Sequence, residues 1–318
     1  MGLIVQSAGF FTTVQDLGRF GYERYGVSPA GAMDWLSLRI ANQVVGNPVE
    51  CAGLEFTLAP PLLLADDDLI VAAAGRGFDL FVQDRPIGLW LAALVRRGEI
   101  IHFAERGEGG WGYLAVSGGI KTPMVMGSRS TDGRARLGGV EGRPLQEGDR
   151  LPVGDSPWVD LFTLAGRSFR PELRPNYQDS VILPVIPGPQ AEMFTPEGRQ
   201  VFFDSAYTIS PTSDRTGYRL AGPAIARQDS AELLSEGMVF GSVQIPADGQ
   251  PIVMLSDHPT TGGYPKITTA ARVGLPYLAQ QPVGSGVVRF KEVSVIEAQQ
   301  AYRRLLAQIE RGVDEPDD

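Results

Sequence analysis

Residues 241–266 read GSVQIPADGQPIVMLSDHPTTGGYPK, and this stretch predicts a strand hairpin that leads into a polar loop. Residues 242–245 alternate in polarity, residues 246–249 form a Pro-x-x-Gly turn, and residues 252–255 are a second apolar run. The loop that follows gathers an aspartate, a histidine, hydroxyl groups and a lysine around Gly262-Gly263. Because glycine costs entropy when it is ordered, this pair favours close approach of the backbone. We therefore expect the loop at the mouth of a β-barrel.

The rest of the composition favours a mainly β chain in two lobes. A length of 318 residues exceeds one average domain. The 39 glycines and 24 prolines punctuate the chain with turns, which favours many short strands over long helices. Residues 171–179 are polar and rich in proline, so we place the boundary there, between an N-terminal lobe at 1–175 and a C-terminal lobe at 176–318.

Helices are expected at two places. Residues 33–45 have apolar side chains at helical spacing, and Gly46 supplies a stop. A C-terminal helix begins at Ser294, where Glu297 is placed for a reciprocal capping box, and ends at Gly312. We expect the acidic tail after Gly312 to be disordered. The predicted apolar stripe of the last helix consists of Ile296, Ala301, Leu305 and Ile309.

The net charge and the single cysteine indicate which partners and which cellular compartment to expect. The net charge of -9 argues against nucleic acid as a partner, since such proteins present a basic face. A single cysteine excludes an intrachain disulfide, which favours a reducing compartment. No signal peptide is visible, and the most apolar segment, residues 60–75, is interrupted by three aspartates. These features predict a cytoplasmic protein that has no membrane partner.

Several kinds of active site lack their sequence motifs. His102 and His258 are the only histidines, so with one cysteine no zinc or iron motif exists, and no metal site is expected. The G-x-S-x-G turn of many hydrolases is absent. A Walker A motif is absent too, so the chain shows no motif that would bind ATP or another cofactor.

What remains is a set of side chains suited to an anionic or amide ligand. Lys266, one of three lysines, could hold a carboxylate or phosphate, or it could be a solvated lysine at a strand end. Asp257 and His258 could be an acid and a base, or a turn cap and a packed imidazole. Asp214 next to Arg215 favours a structural ion pair or turn, with substrate binding as the second interpretation.

Two further groups are weaker candidates. Residues 128–131 could offer hydroxyl and backbone N–H groups to an oxyanion, although a lone Gly/Ser loop is a common feature. Gln190 and Gln244 could be amide ligands for a ureido or lactam group, although buried structural amides are commoner.

Seven segments are informative when they are taken together: Val14-Gln15-Asp16-Leu17-Gly18-Arg19, Gly31-Ala32-Met33-Asp34, Gly127-Ser128-Arg129-Ser130-Thr131, Gly188-Pro189-Gln190, Ser213-Asp214-Arg215, Gly217-Tyr218-Arg219-Leu220 and Asp257-His258-Pro259-Thr260-Thr261-Gly262-Gly263-Tyr264-Pro265-Lys266. With these segments, the chain resembles one family over nearly its whole length: the 5-oxoprolinase C subunit, also described as allophanate hydrolase subunit 2 or the KipA-like carboxyltransferase family. Ala30 and Thr216 depart from the family pattern, where serine and methionine are frequent.

The resemblance implies two cyclophilin-like β-barrel lobes and a protein that works with two partners, a KipI-like B subunit of the 5-oxoprolinase and its A subunit. Such a complex opens 5-oxo-L-proline to L-glutamate at the expense of ATP. Related sequences form half of the carboxyltransferase domain of urea carboxylase, which implies a first alternative: transfer of carboxyl from a partner's biotin to urea or another amide. The chain has no biotinyl-lysine motif of its own. A second alternative is a non-catalytic protein that sequesters a KipI-like kinase inhibitor.

The resemblance also implies roles for individual residues, in which preorganised donors stabilise a developing oxyanion. Lys266 and Arg215 become anion holders, and Asp257 becomes a proton acceptor. The expected catalytic residues are Lys266, Asp257 and Tyr264. The expected substrate-binding residues are Gln190, Asp214, Arg215, Gln244, Gly262, Gly263, Ser128, Arg129 and Ser130.

Overall fold

A computed structural model confirms the mainly β class. Its contacts divide the chain into two compact units. The first unit comprises Met1–Arg19, Ala30–Asn176 and Gln308–Asp318, and the second comprises Phe20–Pro29 and Tyr177–Ala307. The structure describes residues 2–107, 110–156, 161–178, 180–228 and 233–315.

The first unit is built from short antiparallel strands and one buried helix. Its elements up to residue 176 are β1 (Gly2–Ser7), β2 (Phe11–Gln15), α1 (Trp35–Val44), β3 (Gly53–Thr57), β4 (Leu62–Ala65), β5 (Leu69–Gly75), β6 (Phe78–Val82), β7 (Arg85–Pro86), β8 (Ala92–Val95), β9 (Ile100–Glu105), β10 (Trp111–Val116), β11 (Arg150–Pro152) and β12 (Ser168–Phe169). Short 3₁₀ turns lie at Leu161–Leu164 and Pro171–Leu173 in this unit, and at Glu23–Tyr25 and Ala191–Met193 in the second unit.

These strands form two main sheets, in the orders β11-β1-β4-β9-β6-β7 and β2-β3-β10-β5-β8. The chain passes from the first sheet to the second at Gly9, whose φ of 68° suits glycine and where a Cβ would lie 2.2 Å from the carbonyl oxygen of Ala59. Strands β1 and β2 therefore pair with different neighbours. As a result, the described strands of this unit form two main sheets and one short two-stranded pair, and not the closed ring that the family resemblance implied.

The core of the first unit lies against its central strands. Every residue of β5 and β10 is buried, because α1 packs on these strands and apolar side chains of the other sheet contribute to the same core. The alternating side chains of both sheets meet there, with the ring centroids of Phe56 and Phe103 4.5 Å apart. Burial from both sides explains why β5 reads as a continuous apolar run.

The second unit contains the barrel that the sequence predicted. Its strands follow the closed order β13-β20-β17-β18-β15-β14-β21, and the parallel pairing of β13 with β21 completes the ring. Strands β16 and β19 form a separate two-stranded ribbon. The elements of this unit are β13 (Ser180–Pro187), α2 (Pro196–Asp204), β14 (Tyr207–Ile209), β15 (Gly217–Ala221), β16 (Glu236–Gly237), β17 (Ser242–Gln244), β18 (Ile252–Met254), β19 (Thr261–Gly262), β20 (Lys266–Ala270), α3 (Leu275–Ala279) and β21 (Val287–Glu292).

The end of the chain forms α4 (Val295–Glu310) and β22 (Val313–Asp314). The capping box is confirmed: Ser294 N–H donates to Glu297 Oε2 at 2.8 Å, and Glu297 N–H donates to Ser294 Oγ at 3.2 Å. The predicted stripe holds only in part, since Ile309 is buried and Ile296 is 66% exposed. The predicted disorder directly after Gly312 is wrong, because β22 pairs with β12. The last three tail residues, 316–318, lie outside the described residues.

None of the helices in the described part of the chain combines the length and the apolar character that crossing a bilayer requires.

Candidate functional site

Lys266 stands at the centre of a polar group in the second unit. It is the first residue of β20, and its side chain is only 5% exposed. Its Nζ lies 2.5 Å from Oε1 of Glu236 and donates to the carbonyl oxygen of Gly237 at 3.1 Å. The sequence-based alternative of a solvated lysine at a strand end is therefore wrong, because burial and a carboxylate partner replace water around the ammonium.

Gln190 is fixed against the same lysine from the turn after β13. Its backbone N–H donates to the carbonyl oxygen of Lys266 at 3.3 Å, and its Oε1 accepts from the N–H of Lys266 at 3.2 Å. Its Nε2 donates to Glu236 Oε1 at 2.6 Å. This approach depends on Gly188, where a Cβ would lie 2.3 Å from the carbonyl oxygen of Lys266. Two donors, one of them cationic, thus converge on a single carboxylate oxygen.

The carboxylate of Glu236 is the partly open member of this group. Its side chain is 39% exposed, although the lysine beside it is buried. The hydrogen bond from Lys266 holds the pKa of Glu236 below its ordinary value, and the hydrogen bond from Gln190 acts in the same direction. Glu236 is therefore ionised at neutral pH and neutralises the buried ammonium.

The glycine pair lies next to this group. A Cβ on Gly262 would come within 2.7 Å of Gln244 Nε2 and 3.0 Å of Met238 Sδ, so close approach requires glycine there. Gln244 is buried and donates from Nε2 to the carbonyl oxygen of Tyr264 at 3.1 Å. The Tyr264 side chain itself is exposed. At Gly263 a Cβ would meet its nearest neighbour at 3.3 Å, a milder constraint.

We call Lys266, Glu236, Gln190, Gln244 and Gly262 the lysine cluster.

Arg215 and Asp257 form a second group, in which the two side chains are joined as an ion pair. Arg215 Nε donates to Asp257 Oδ2 at 2.8 Å, and Nη2 donates to Oδ1 at 3.0 Å. The two side chains are 7% and 17% exposed. This bidentate pair joins the residues before β15 to those after β18, since the N–H of Asp257 also donates to the carbonyl oxygen of Arg215 at 2.9 Å. Each charge that the sequence assigned to substrate binding or proton transfer is engaged by the other.

Asp214 and His258, which are next to this pair in sequence, contact backbone groups. Asp214 caps a turn, accepting at Oδ1 from the N–H of Thr216 at 2.8 Å, which agrees with the turn interpretation. His258 is buried, and its Nδ1 lies 2.8 Å from the carbonyl oxygen of Pro259. Burial lowers the pKa of His258 and favours the neutral imidazole.

In the first unit, Asp16 engages the predicted oxyanion loop. Its Oδ1 accepts from Ser128 Oγ and Ser130 Oγ at 2.6 Å each and from the N–H of Gly18 at 2.8 Å. Its Oδ2 accepts from the N–H of Arg129 at 2.6 Å. The hydroxyls and the amide that were expected to face an oxyanion are thus directed to an internal carboxylate. We call Asp16 with these loop residues the Asp16 anchor.

The structure therefore brings together only part of the predicted site. Glu236, which connects Gln190 to Lys266, was missed. A signal for it existed, because a lysine on an apolar strand needs an acid when it is buried, but local sequence does not identify which acid. Among the described residues, no group of three His, Cys, Asp or Glu side chains is placed to hold a metal ion.

Comparison with known proteins identifies the family of the chain. Residues 25–292 match the family model "Carboxyltransferase domain, subdomain A and B". The chain belongs to this carboxyltransferase domain family. Within the family, it is 36% identical over 307 residues to the 5-oxoprolinase C subunit of Haemophilus influenzae, covering 95% of this chain and 96% of that protein. It is 38% identical over 294 residues to the 5-oxoprolinase C subunit of Escherichia coli, covering 92% of each chain.

A solved structure extends the comparison to a longer member of the carboxyltransferase family. The crystal structure of the K. lactis urea amidolyase superimposes with a TM-score of 0.90 at 29% identity. The match covers 98% of this chain but only 20% of the urea amidolyase chain. The fold of this chain thus recurs as one part of a much larger protein.

Proposed function

We propose that the chain is the C subunit of an ATP-dependent 5-oxoprolinase, which opens 5-oxo-L-proline to L-glutamate together with its A and B subunits. The observation that carries the proposal is the reciprocal coverage: at 36% identity, 95% of this chain aligns with 96% of a 5-oxoprolinase C subunit. Similarity that extends over nearly the whole of both chains favours the same role. In the reaction, the lactam C–N bond breaks, water supplies OH to the carbonyl carbon and H to the nitrogen, and ATP is hydrolysed.

The lysine cluster supports a role in binding the substrate. A substrate with a carboxylate next to a lactam needs a cation and a neutral N–H donor, and Lys266 and Gln190 present both within 2.6 Å of one point. The expectation that the Gln190 amide binds the lactam itself is less well supported, since both of its ends are engaged by Lys266 and Glu236.

Carboxyl transfer from biotin is the second candidate. It is favoured by the family model and by the close superposition on urea amidolyase. Here the chain would act as one half of a carboxyltransferase and would receive biotin from a partner. The same cluster would then hold the acceptor amide or a carboxyl group.

One assay separates the two candidates. The chain is purified with its A and B subunits, and glutamate release from 5-oxoproline is measured with and without ATP. Turnover of the amide substrate is then measured with ATP, biotin and bicarbonate together, because bicarbonate must be activated by ATP before its carboxyl group can reach biotin. ATP-dependent glutamate release supports the first candidate. Turnover that requires biotin and bicarbonate supports the second and rejects the first.

Variants of two lysines test the cluster in the same assay. We expect K266M to lower kcat/KM by roughly 10- to 100-fold, because the substrate carboxylate loses a hydrogen bond to a charged group, which contributes about 1.5–3 kcal/mol. K291M is the matched control, because Lys291 is exposed on β21 of the same unit, and it should stay within about twofold of the parent protein. K266R keeps the positive charge and should retain partial activity. Full activity of K266M would remove Lys266 from the site.

A further inference from the structure

Within the lysine cluster, the two side-chain donors are both hydrogen-bonded to a carboxylate of the protein itself. Lys266 Nζ and Gln190 Nε2 lie 2.5 and 2.6 Å from Glu236 Oε1, so both donors are aimed at the same oxygen. We infer that the two donors form a binding site for a small carboxylate ligand, and that Glu236 occupies this site until the carboxylate of the ligand displaces it.

The donors and the occupant belong to different elements. Lys266 lies in β20 of the closed barrel, and Gln190 is hydrogen-bonded to its backbone in both directions. Glu236 lies in β16, a two-residue strand that pairs with β19 and is not part of the barrel ring. The donors can therefore keep their places while the carboxylate of Glu236 moves away.

Exposure and charge favour exchange over a permanent ion pair. Glu236 is 39% exposed and can return to water, whereas Lys266 at 5% exposure cannot. Among the described residues, Glu236 is the acidic partner of this ammonium, so its departure would leave a buried charge uncompensated. A ligand carboxylate removes that cost by taking the same position. A neutral ligand does not.

The choice of 5-oxoproline as ligand rests on the proposed function, but the displacement itself does not. The E236Q variant keeps the size of the side chain and an oxygen that can accept both hydrogen bonds, and it removes the negative charge that competes with the ligand. Binding to the purified chain is measured by calorimetry with 5-oxo-L-proline, with propionate, and with pyrrolidin-2-one, which is the same lactam without its carboxylate.

We expect E236Q to tighten binding of both carboxylates about fivefold or more, because the ligand now competes with a neutral hydrogen bond and not a charge-assisted one. Binding of pyrrolidin-2-one should stay unchanged. The control is E192Q in the same unit, since Glu192 is 86% exposed and its partner is Arg199. Thermal unfolding shows whether each variant is folded, and E236A repeats the test if E236Q is not.

Weaker carboxylate binding in E236Q, or equal changes for all three probes, would show that Glu236 only positions Lys266 and would overturn the inference. If propionate responds as expected but the complex releases no glutamate, the carboxylate site stands and the proposed function fails. If glutamate is released and neither carboxylate responds to E236Q, the inference alone fails.

Discussion

Arg215 and Asp257 were predicted from the sequence to bind substrate and to accept a proton. In the structure they form an ion pair with each other. The two-point contact between them is nearly buried and connects two segments of the barrel rim. Removing one member of such a pair leaves the other charge buried and costs about 3 kcal/mol or more. A loss of activity at either position must therefore be separated from a loss of folding before a role in chemistry is assigned.

His258 gives the stability of the chain a pH dependence of definite sign. Burial holds its folded-state pKa below that of the unfolded chain, despite the opposing effects of Pro259, Glu23 and Asp257. The unfolded state therefore binds the proton more readily. The contribution of His258 to stability is complete above the unfolded pKa of about 6.5 and is lost as the pH falls toward the folded pKa.

We predict that H258Q flattens the dependence of the unfolding midpoint on pH between about pH 5 and 7. Denaturant titrations at several pH values measure this slope. H102Q is the control, because His102 is the second histidine of the chain and lies in the other unit, and it should retain the slope. An unchanged slope in H258Q would contradict the assignment.

At the scale of elements, the Asp16 anchor explains why a long segment with few apolar residues is ordered. Residues 126–148 contain little that could pack into a core, yet Ser128 and Ser130 are completely buried. The carboxylate of Asp16, which follows β2, accepts hydrogen bonds from both hydroxyls and from the N–H between them. Charge-assisted hydrogen bonds thus replace the hydrophobic contacts that the segment lacks.

We predict that the D16A substitution makes residues 126–131 less ordered. Amide hydrogen exchange across residues 126–131 should accelerate at least tenfold, because each hydrogen bond to a charged group contributes about 1.5–3 kcal/mol. The control is D132A, since the side chain of Asp132 accepts from the nearby N–H groups of Arg134 and Ala135 and its removal should affect that turn. Equal exchange in D16A and the parent protein would mean that other contacts order the loop.

At the scale of the whole molecule, activity is expected to require partners. The chain matches a protein named as one subunit of an enzyme over nearly its full length, and it has no Walker A motif. We predict that the purified chain releases no glutamate from 5-oxoproline with ATP, and that adding the A and B subunits restores release. Turnover by the chain alone would contradict this prediction.

The polypeptide sequence determined the features that depend on neighbouring residues. The hairpin at 242–255, the capping box of Ser294 and Glu297, and the close packing at Gly262 all follow from local patterns and were predicted. The mainly β class follows in the same way, because turn residues and strand alternation repeat along the chain. The family resemblance rested on such local segments and is confirmed by the match to the carboxyltransferase model.

Only the tertiary structure decided which charged groups meet. Gln190 and Glu236 are 46 positions apart, and Ser128 and Asp16 are 112 apart. Strand order brings these residues together, and local sequence carries little information about strand order, because many pairings satisfy the same alternation. Sequence therefore identified Lys266 as a functional candidate, whereas the fold placed Glu236 beside it and paired Arg215 with Asp257.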